Sequence, residues 1–191
     1  MIIGVKGLTY AAYASGGEGA AVVYSGGVQV ADMMVRVDQN EEREDASFNA
    51  DDHRIDRDNS INGASLSIEV AQLTTGMREG MLGHTGSGTG TTVYSVTDAA
   101  SPFVGVGFVL CQRYKGTMTY RAYWYHKVQF SEGQRSFNTK GENLEFQTES
   151  LEGEAVAVQL ASAGAFEYYQ YSEHTTDAAA LAWVKGKAGI T

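Results

Sequence analysis

Along much of this chain, hydrophobic and polar positions alternate with the two-residue period of a half-buried strand. One stretch departs from that pattern. Phe103 to Cys111 and Thr119 to Tyr125 are rich in β-branched and aromatic residues, which suit a pleated surface. Tyr114-Lys115-Gly116-Thr117 lies between them and reads as a tight hairpin turn, because Gly116 can take positive φ. With Lys115 and Gly116 as the turn residues, Arg113 faces Met118, Cys111 faces Tyr120 and Gly107 faces Trp124. One face then carries Phe103, Val109, Cys111, Tyr120, Ala122, Trp124 and Val128. The other carries Val104, Val106, Phe108, Leu110, Arg121, Tyr123 and Tyr125. A ribbon apolar on both sides is usually covered on both sides. One cover is expected from the protein's own core, the other from the same chain or a neighbouring subunit.

The remaining elements follow from shorter patterns. Residues 2–14 alternate loosely and predict a strand. Ala21 to Tyr24 predicts a short strand closed by Ser25-Gly26-Gly27, and Val28 to Val37 a longer one. Gly63 to Leu73 puts Leu66, Ile68 and Val70 on one face. Thr74 to Gly83 predicts a helix capped by Thr74 or Thr75 and closed by Gly83, held by packing of Met77, Met81 and Leu82. Thr92 to Val96, Asn143 to Thr148, Ala155 to Leu160 and Phe166 to Ser172 read as further strands. Asp177 to Lys185 reads as a helix, with Thr176 or Asp177 as cap, Leu181 and Val184 or Trp183 inward, and Gly186 at its stop. About eight to ten strands and two small helices predict a mainly β fold, a β-sandwich or barrel with helices at the rim.

Arg36 to Ser60 holds nine acids against four bases, five of the chain's nine net negative charges. It is expected to be a long acidic loop or hairpin extension at about 38–62 of a single domain spanning 1–191. The net charge of −9 argues against wrapping nucleic acid, which needs a basic surface, but suits a wall that nucleic acid must slide past. A lone cysteine excludes an internal disulfide. The opening MIIGVKGLTYAAYASGG lacks the run of a signal peptide and no stretch has the apolar length of a membrane span, so a soluble, cytosolic product is expected.

Candidate chemistry is sparse. Gly83 and Gly88 have phosphate-loop spacing, but Thr89 stands where the Lys is required, and a flexible loop is expected over His84 to Thr91. An EF-hand beginning at Asp56 would need Gly and Glu where Ile61 and Ser67 stand; an irregular calcium site among Asp51, Asp52, Asp56 and Asp58 is left open. His53, His84, His126 and His174 show no paired ligand spacing. Cys111 and His126 are separated by roughly 20 Å along the ribbon, which predicts a buried, inert thiol rather than a catalytic pair. No catalytic, cofactor or metal site is expected. Tyr114, Tyr120, Tyr123, Trp124 and Tyr125 could instead form a platform for carbohydrate or peptide, which gives a second reading, a monomeric binding module.

The order LSIEVAQLTTGMREGMLG, then PFVGVGFVLCQRYKGTMTYRAYWYHKVQF, then KGENLEFQTESLEG, then a terminal helix with Ala182-Trp183 resembles the major tail proteins, or tail tube proteins, of long-tailed bacteriophages with non-contractile tails. Its most specific parts are Tyr120-Arg121-Ala122-Tyr123-Trp124 with Lys127-Val128, and Gly141-Glu142 with Glu145-Phe146-Gln147-Thr148. His126 and Glu149 stand where that family commonly has Pro. The resemblance implies a structural virion protein without enzymatic activity or cofactor. Its subunits would form hexameric rings, stacked into a tail tube around a tape-measure protein and joined by tail terminator and tail-tip proteins. DNA would pass through the lumen. Assembly would take place in the host cytoplasm. The expected assembly interface comprises Asp38, Glu41, Glu42, Arg43, Glu44, Asp45, Phe48, Arg54, Ile55 and Arg57 of the acidic segment, with Arg121, Tyr123 and Tyr125 of the ribbon.

Overall fold

The structure, a computed structural model, describes residues 1–30, 33–44, 46–50, 53–58, 60–86, 92–93, 101–135, 147–160 and 164–190. In chain order the elements are β1 (Ile2–Ser15), β2 (Val23–Gln29), β3 (Met34–Arg43), β4 (Ala46–Ala50), β5 (His53–Asp58), β6 (Ile61–Val70), α1 (Thr75–Leu82), β7 (Thr85–Gly86), β8 (Thr92–Val93), β9 (Phe103–Tyr114) and β10 (Thr117–Glu132). They continue with β11 (Glu149–Ala155), β12 (Val158–Gln159), β13 (Phe166–Glu167), β14 (Tyr169–His174) and α2 (Asp177–Lys187). The protein is mainly β, with one eight-stranded antiparallel sheet in the order β2-β1-β9-β10-β11-β6-β3, to which β14 adds by pairing with β10. Three small two-stranded sheets accompany it, β12-β13, β4-β5 and β7-β8.

The β9–β10 hairpin has the expected register: Met118 pairs Arg113, Tyr120 pairs Cys111 and Trp124 pairs Gly107. Lys115 (φ 47°) and Gly116 (φ 86°) both take positive φ, the turn whose twist matches that of the flanking strands. Further along β10 the pairing jumps from Tyr125–Val106 to Val128–Val104, a bulge of one extra residue. That bulge moves Val128 to the face opposite the one expected, beside Val104 and Phe130. It also divides β10 between two partners: Tyr120–Tyr125 pair with β14, and Val128–Glu132 pair with β11.

Through that bend the two ends of the sheet pack against each other. Val104, Val106, Phe108, Tyr123 and Tyr125 share one core with Leu66, Ile68 and Val70 of β6, Leu151 of β11, Leu8 and Tyr10 of β1, and Met77, Met81 and Leu82 of α1. The opposite face, with Val109, Ala122 and Trp124, packs under Ala180, Val184 and Ala188 of α2. Gly107 allows this close approach: a Cβ there would lie 2.6 Å from the Trp124 ring and 2.8 Å from Val184. Trp124 Nε1 donates to the Tyr24 hydroxyl at 3.0 Å, which donates to the His126 carbonyl at 2.8 Å. The sheet stays open, since no pairing joins β3 to β1.

Several expectations need correction. Gly26 and Gly27 do not end a strand: β2 runs through them, with a bulge against β1 between Tyr10 and Ala12. β3 starts at Met34. The strand expected over Ala155 to Leu160 lies earlier, as β11, leaving only β12 in that stretch. Gly186 lies inside α2, which closes at Ala188. Cys111 is half-buried rather than enclosed. The helix α1 has the expected caps, with Thr74 accepting from the Met77 amide and Gly83 in the left-handed region at φ 73°. The strand expected over 143–148 and the loop over 84–91 lie largely outside the described residues, as do 94–96 and two of the calcium candidates, Asp51 and Asp52. Among the described residues no helix is long and apolar enough to cross a membrane.

Candidate assembly surfaces

The acidic segment is built of strands. β3 pairs with β6 in an antiparallel ladder from Met34–Val70 to Arg43–Ile61, and the β4–β5 hairpin follows. Asp38, Glu41, Glu42, Arg43 and Glu44 lie exposed at the far end of β3. Arg36 pairs with Asp38 at 2.9 Å and Arg43 with Glu41 at 2.8 Å. Both pairs are solvated and contribute little to stability. The Arg43 guanidinium, and then the Tyr169 hydroxyl, hold the Glu41 carboxyl below its ordinary range. Phe48 lies on β4, and Arg54, Ile55 and Arg57 lie on β5. Asp45 lies outside the described residues.

Tyr123 and Tyr125 are not interface residues. They are 9% and 2% exposed, covered by their own chain. Phe108 stacks on them at centroid distances of 5.5 and 6.5 Å, and Tyr169 closes on Tyr125 at 5.0 Å. The cover comes from β3, which crosses this layer. Its start, Val35–Gln39, lies beside Ile2, Gly4 and Val5 of β1. Gln39 then donates to the Tyr125 hydroxyl at 2.9 Å, and the Tyr169 hydroxyl donates to Glu41 at 2.9 Å. Burial raises the Tyr125 phenol pKa, and burial with Glu41 raises that of Tyr169 to about 12, so both stay protonated over the whole neutral range, Tyr125 accepting and Tyr169 donating. Both faces of the ribbon are therefore satisfied within one chain, and the apolar ribbon does not require a second subunit. Trp124 is wholly buried, so the aromatic platform of a monomeric binding module is not displayed either. Arg121 is partly exposed; its Nε donates to Glu173 of β14 at 3.0 Å and its guanidinium lies over the Tyr171 ring.

The features that sequence reasoning missed are edges. β1 pairs with β2 only from Thr9 onward, so among the described residues Ile2–Lys6 has β9 on one side and no strand paired on the other. Among the described residues β14 pairs with β10 alone. These edges stand at one level of the sheet: Val5 pairs Leu110, Leu110 pairs Arg121, and Arg121 pairs Glu173. The β1 edge is apolar, with Ile2 60% and Ile3 49% exposed. On β14 the Tyr171 ring is exposed. Between β1 and β3 lies an open groove of about 340 Å³ lined by Ile2, Gly4, Val5, Val35 and Leu110 among others.

Comparison of the chain with protein-family models finds no match, and comparison with curated proteins finds none either.

Proposed function

We propose that this chain is a structural subunit that joins copies of itself into rings stacked as a tube, in the manner implied by its resemblance to phage tail tube proteins. The supporting observation is the pair of unpaired edges on the β1-β9-β10-β14 layer. Proteins that remain alone usually blunt a free edge with charge, Pro or a covering element. Here Ile2 and Ile3 stand exposed on the free stretch of β1, whose one charged side chain is Lys6. Three antiparallel steps separate β1 from β14, so these strands run in opposite directions. In a ring whose axis follows the strands, every copy keeps the same orientation. The β1 edge of one copy then meets the β14 edge of the next antiparallel, the favourable pairing. Such a contact joins two different surfaces, and it closes into a ring when the rotation per copy divides the circle.

On this reading the layered β architecture is of the sandwich type found in tail tubes, the ring is hexameric, and the lumen holds a tape-measure protein before DNA passes. The terminator and tip proteins cap the tube in the virion. The sheet architecture with its solvated acidic projection and its lack of a recognised nucleophile–base spacing supports a structural role over an enzymatic one.

Negative-stain microscopy of the purified protein across concentration tests the reading, with rings or tubes expected at high concentration. The Ile2→Lys/Ile3→Lys variant places two charges on the β1 edge. It should keep its melting profile, since both side chains are exposed, and should stay monomeric by light scattering. Persistent monomers of the unaltered protein under all concentrations and salts would end the proposal, as would normal rings from the edge variant.

A further inference from the structure

The chain's charge is unevenly distributed, with residues 36–60 and 132–177 both acidic. Residues 1–17 and 101–131 contain no Asp or Glu, yet carry Lys6, Arg113, Lys115, Arg121 and Lys127. Four of these cations make contacts within the molecule, Lys115 lying over the Tyr114 ring. Lys6 pairs with Asp177 at 2.7 Å, Arg121 bonds Glu173, and Lys127 lies over the Phe103 and Tyr13 rings. Arg113 and Lys115 remain exposed at the β9–β10 turn. The Met1 amino group joins them, 3.2 Å from the Arg113 carbonyl. This cationic end adjoins the groove between β1 and β3, because Ile2 pairs with Gln112. Within the groove, Ile2 and Val35 are 60% and 50% exposed over a floor that includes Val5 and Leu110.

In its own molecule the root of the acidic segment, including Arg36 and Asp38, forms one wall of this groove, and the rest of the segment continues away along β3. β3 lines the groove from Val35 to Gln39 and reaches Tyr169 of β14 at Glu41. Three strand spacings, roughly 14 Å, separate β1 from β14. Glu41 thus stands beside the β14 edge where, on the reading above, the next copy's β1 would join. We propose that the β1–β3 groove and its cationic end receive the acidic β3–β6 extension of a neighbouring copy. The occupant is a second copy of this chain. Exposed Ile61 near the base of the extension offers apolar surface, and Glu42 and Glu44 offer the charge that Arg113, Lys115 and the amino terminus complement. Opposite charges facing across an interface guide encounter and fix register. The inference rests on the tube-subunit reading and adds the partner surface for its acidic arm.

Charge-swap complementation tests it on the full-length protein. One variant, Arg113→Glu/Lys115→Glu, makes the receiving end acidic. The other, Glu42→Lys/Glu44→Lys, makes the arm basic. Circular dichroism melts establish that each is folded. Each alone should assemble only at a critical concentration raised about tenfold or more, a shift of about 1.4 kcal/mol. An equimolar mixture should recover assembly, because an alternating ring places each arm against an end of opposite charge. If both variants assemble like the unaltered protein, the inference falls while the ring reading stands. If both fail and the mixture fails too, the arm docks elsewhere and the inference also falls. If the unaltered protein never assembles, the ring reading itself has failed.

Discussion

His126 is a residue whose burial has a measurable cost. It is 3% exposed, and its Nε2 lies 3.7 Å from Glu167, too far for a hydrogen bond. Burial, opposed by Glu167 and reinforced by Lys187, pushes its pKa down to about 4. The unfolded chain takes up this proton near pH 6.5 and the folded chain does not. Stability from this group is thus complete above pH 6.5 and is lost as pH falls toward 4, by about 3 kcal/mol at most. Denaturant titrations at pH 7.5 and 4.5 should show His126→Gln losing about 2 kcal/mol less than the unaltered protein over that interval. Equal losses would show that His126 does not set the slope. Sequence alone marked this histidine as lacking paired ligand spacing, as remote from Cys111 and as standing at a position where the resembled family commonly has Pro, and gave no sign of its burial. Its burial depends on Tyr168, whose carbonyl accepts from the His126 amide, and on α2, both distant in sequence.

At the scale of the element, local chemistry was legible and long-range packing was not. The Lys115-Gly116 turn and its register could be read because two positive-φ positions and the alternation on either side agree. Gly116 has open space around the position of a Cβ, so substitution there would act through backbone strain alone. Gly116→Val should lower stability by about 1–2 kcal/mol, and Lys115→Asn should raise it by a few tenths, since Asn tolerates the left-handed region. Thermal melts of the two variants check the opposite signs. β11 escaped notice because its inward row, Leu151, Gly153 and Ala155, is too small to announce a buried face. The β10 bulge escaped because nothing in Tyr125-His126-Lys127-Val128 distinguishes an extra residue from a regular one. Tyr123 and Tyr125 were misassigned for a related reason. Period-two patterning reveals that both sides of a ribbon are apolar, but not which part of the chain covers them.

The molecule as a whole has a self-contained core and free strand edges at its margins. Both apolar faces are filled, by the β3–β6 layer on one side and α2 on the other. Among the described residues this leaves the free stretch of β1 and the β14 edge, an apolar groove and the acidic segment. The arm could be recognised as a polar segment from charge alone, whereas the edges depend on strand order. Deleting Asn40 to Asn59 should therefore leave a folded monomer, since most of the buried core lies elsewhere, while abolishing tubes. Sedimentation velocity and microscopy on that deletion check both halves. Tubes of normal length would show that the arm is dispensable.

The hydrogen bonds from Gln39 to Tyr125 and from Tyr169 to Glu41 tie the root of the arm to the stacked phenols. A pull or twist on the arm is thereby felt by the Tyr125–Tyr169 ring pair, while Trp124 sits on the far side of the sheet beneath α2. On the proposed reading, docking of the arm would alter the surroundings of the Tyr125–Tyr169 pair before those of Trp124.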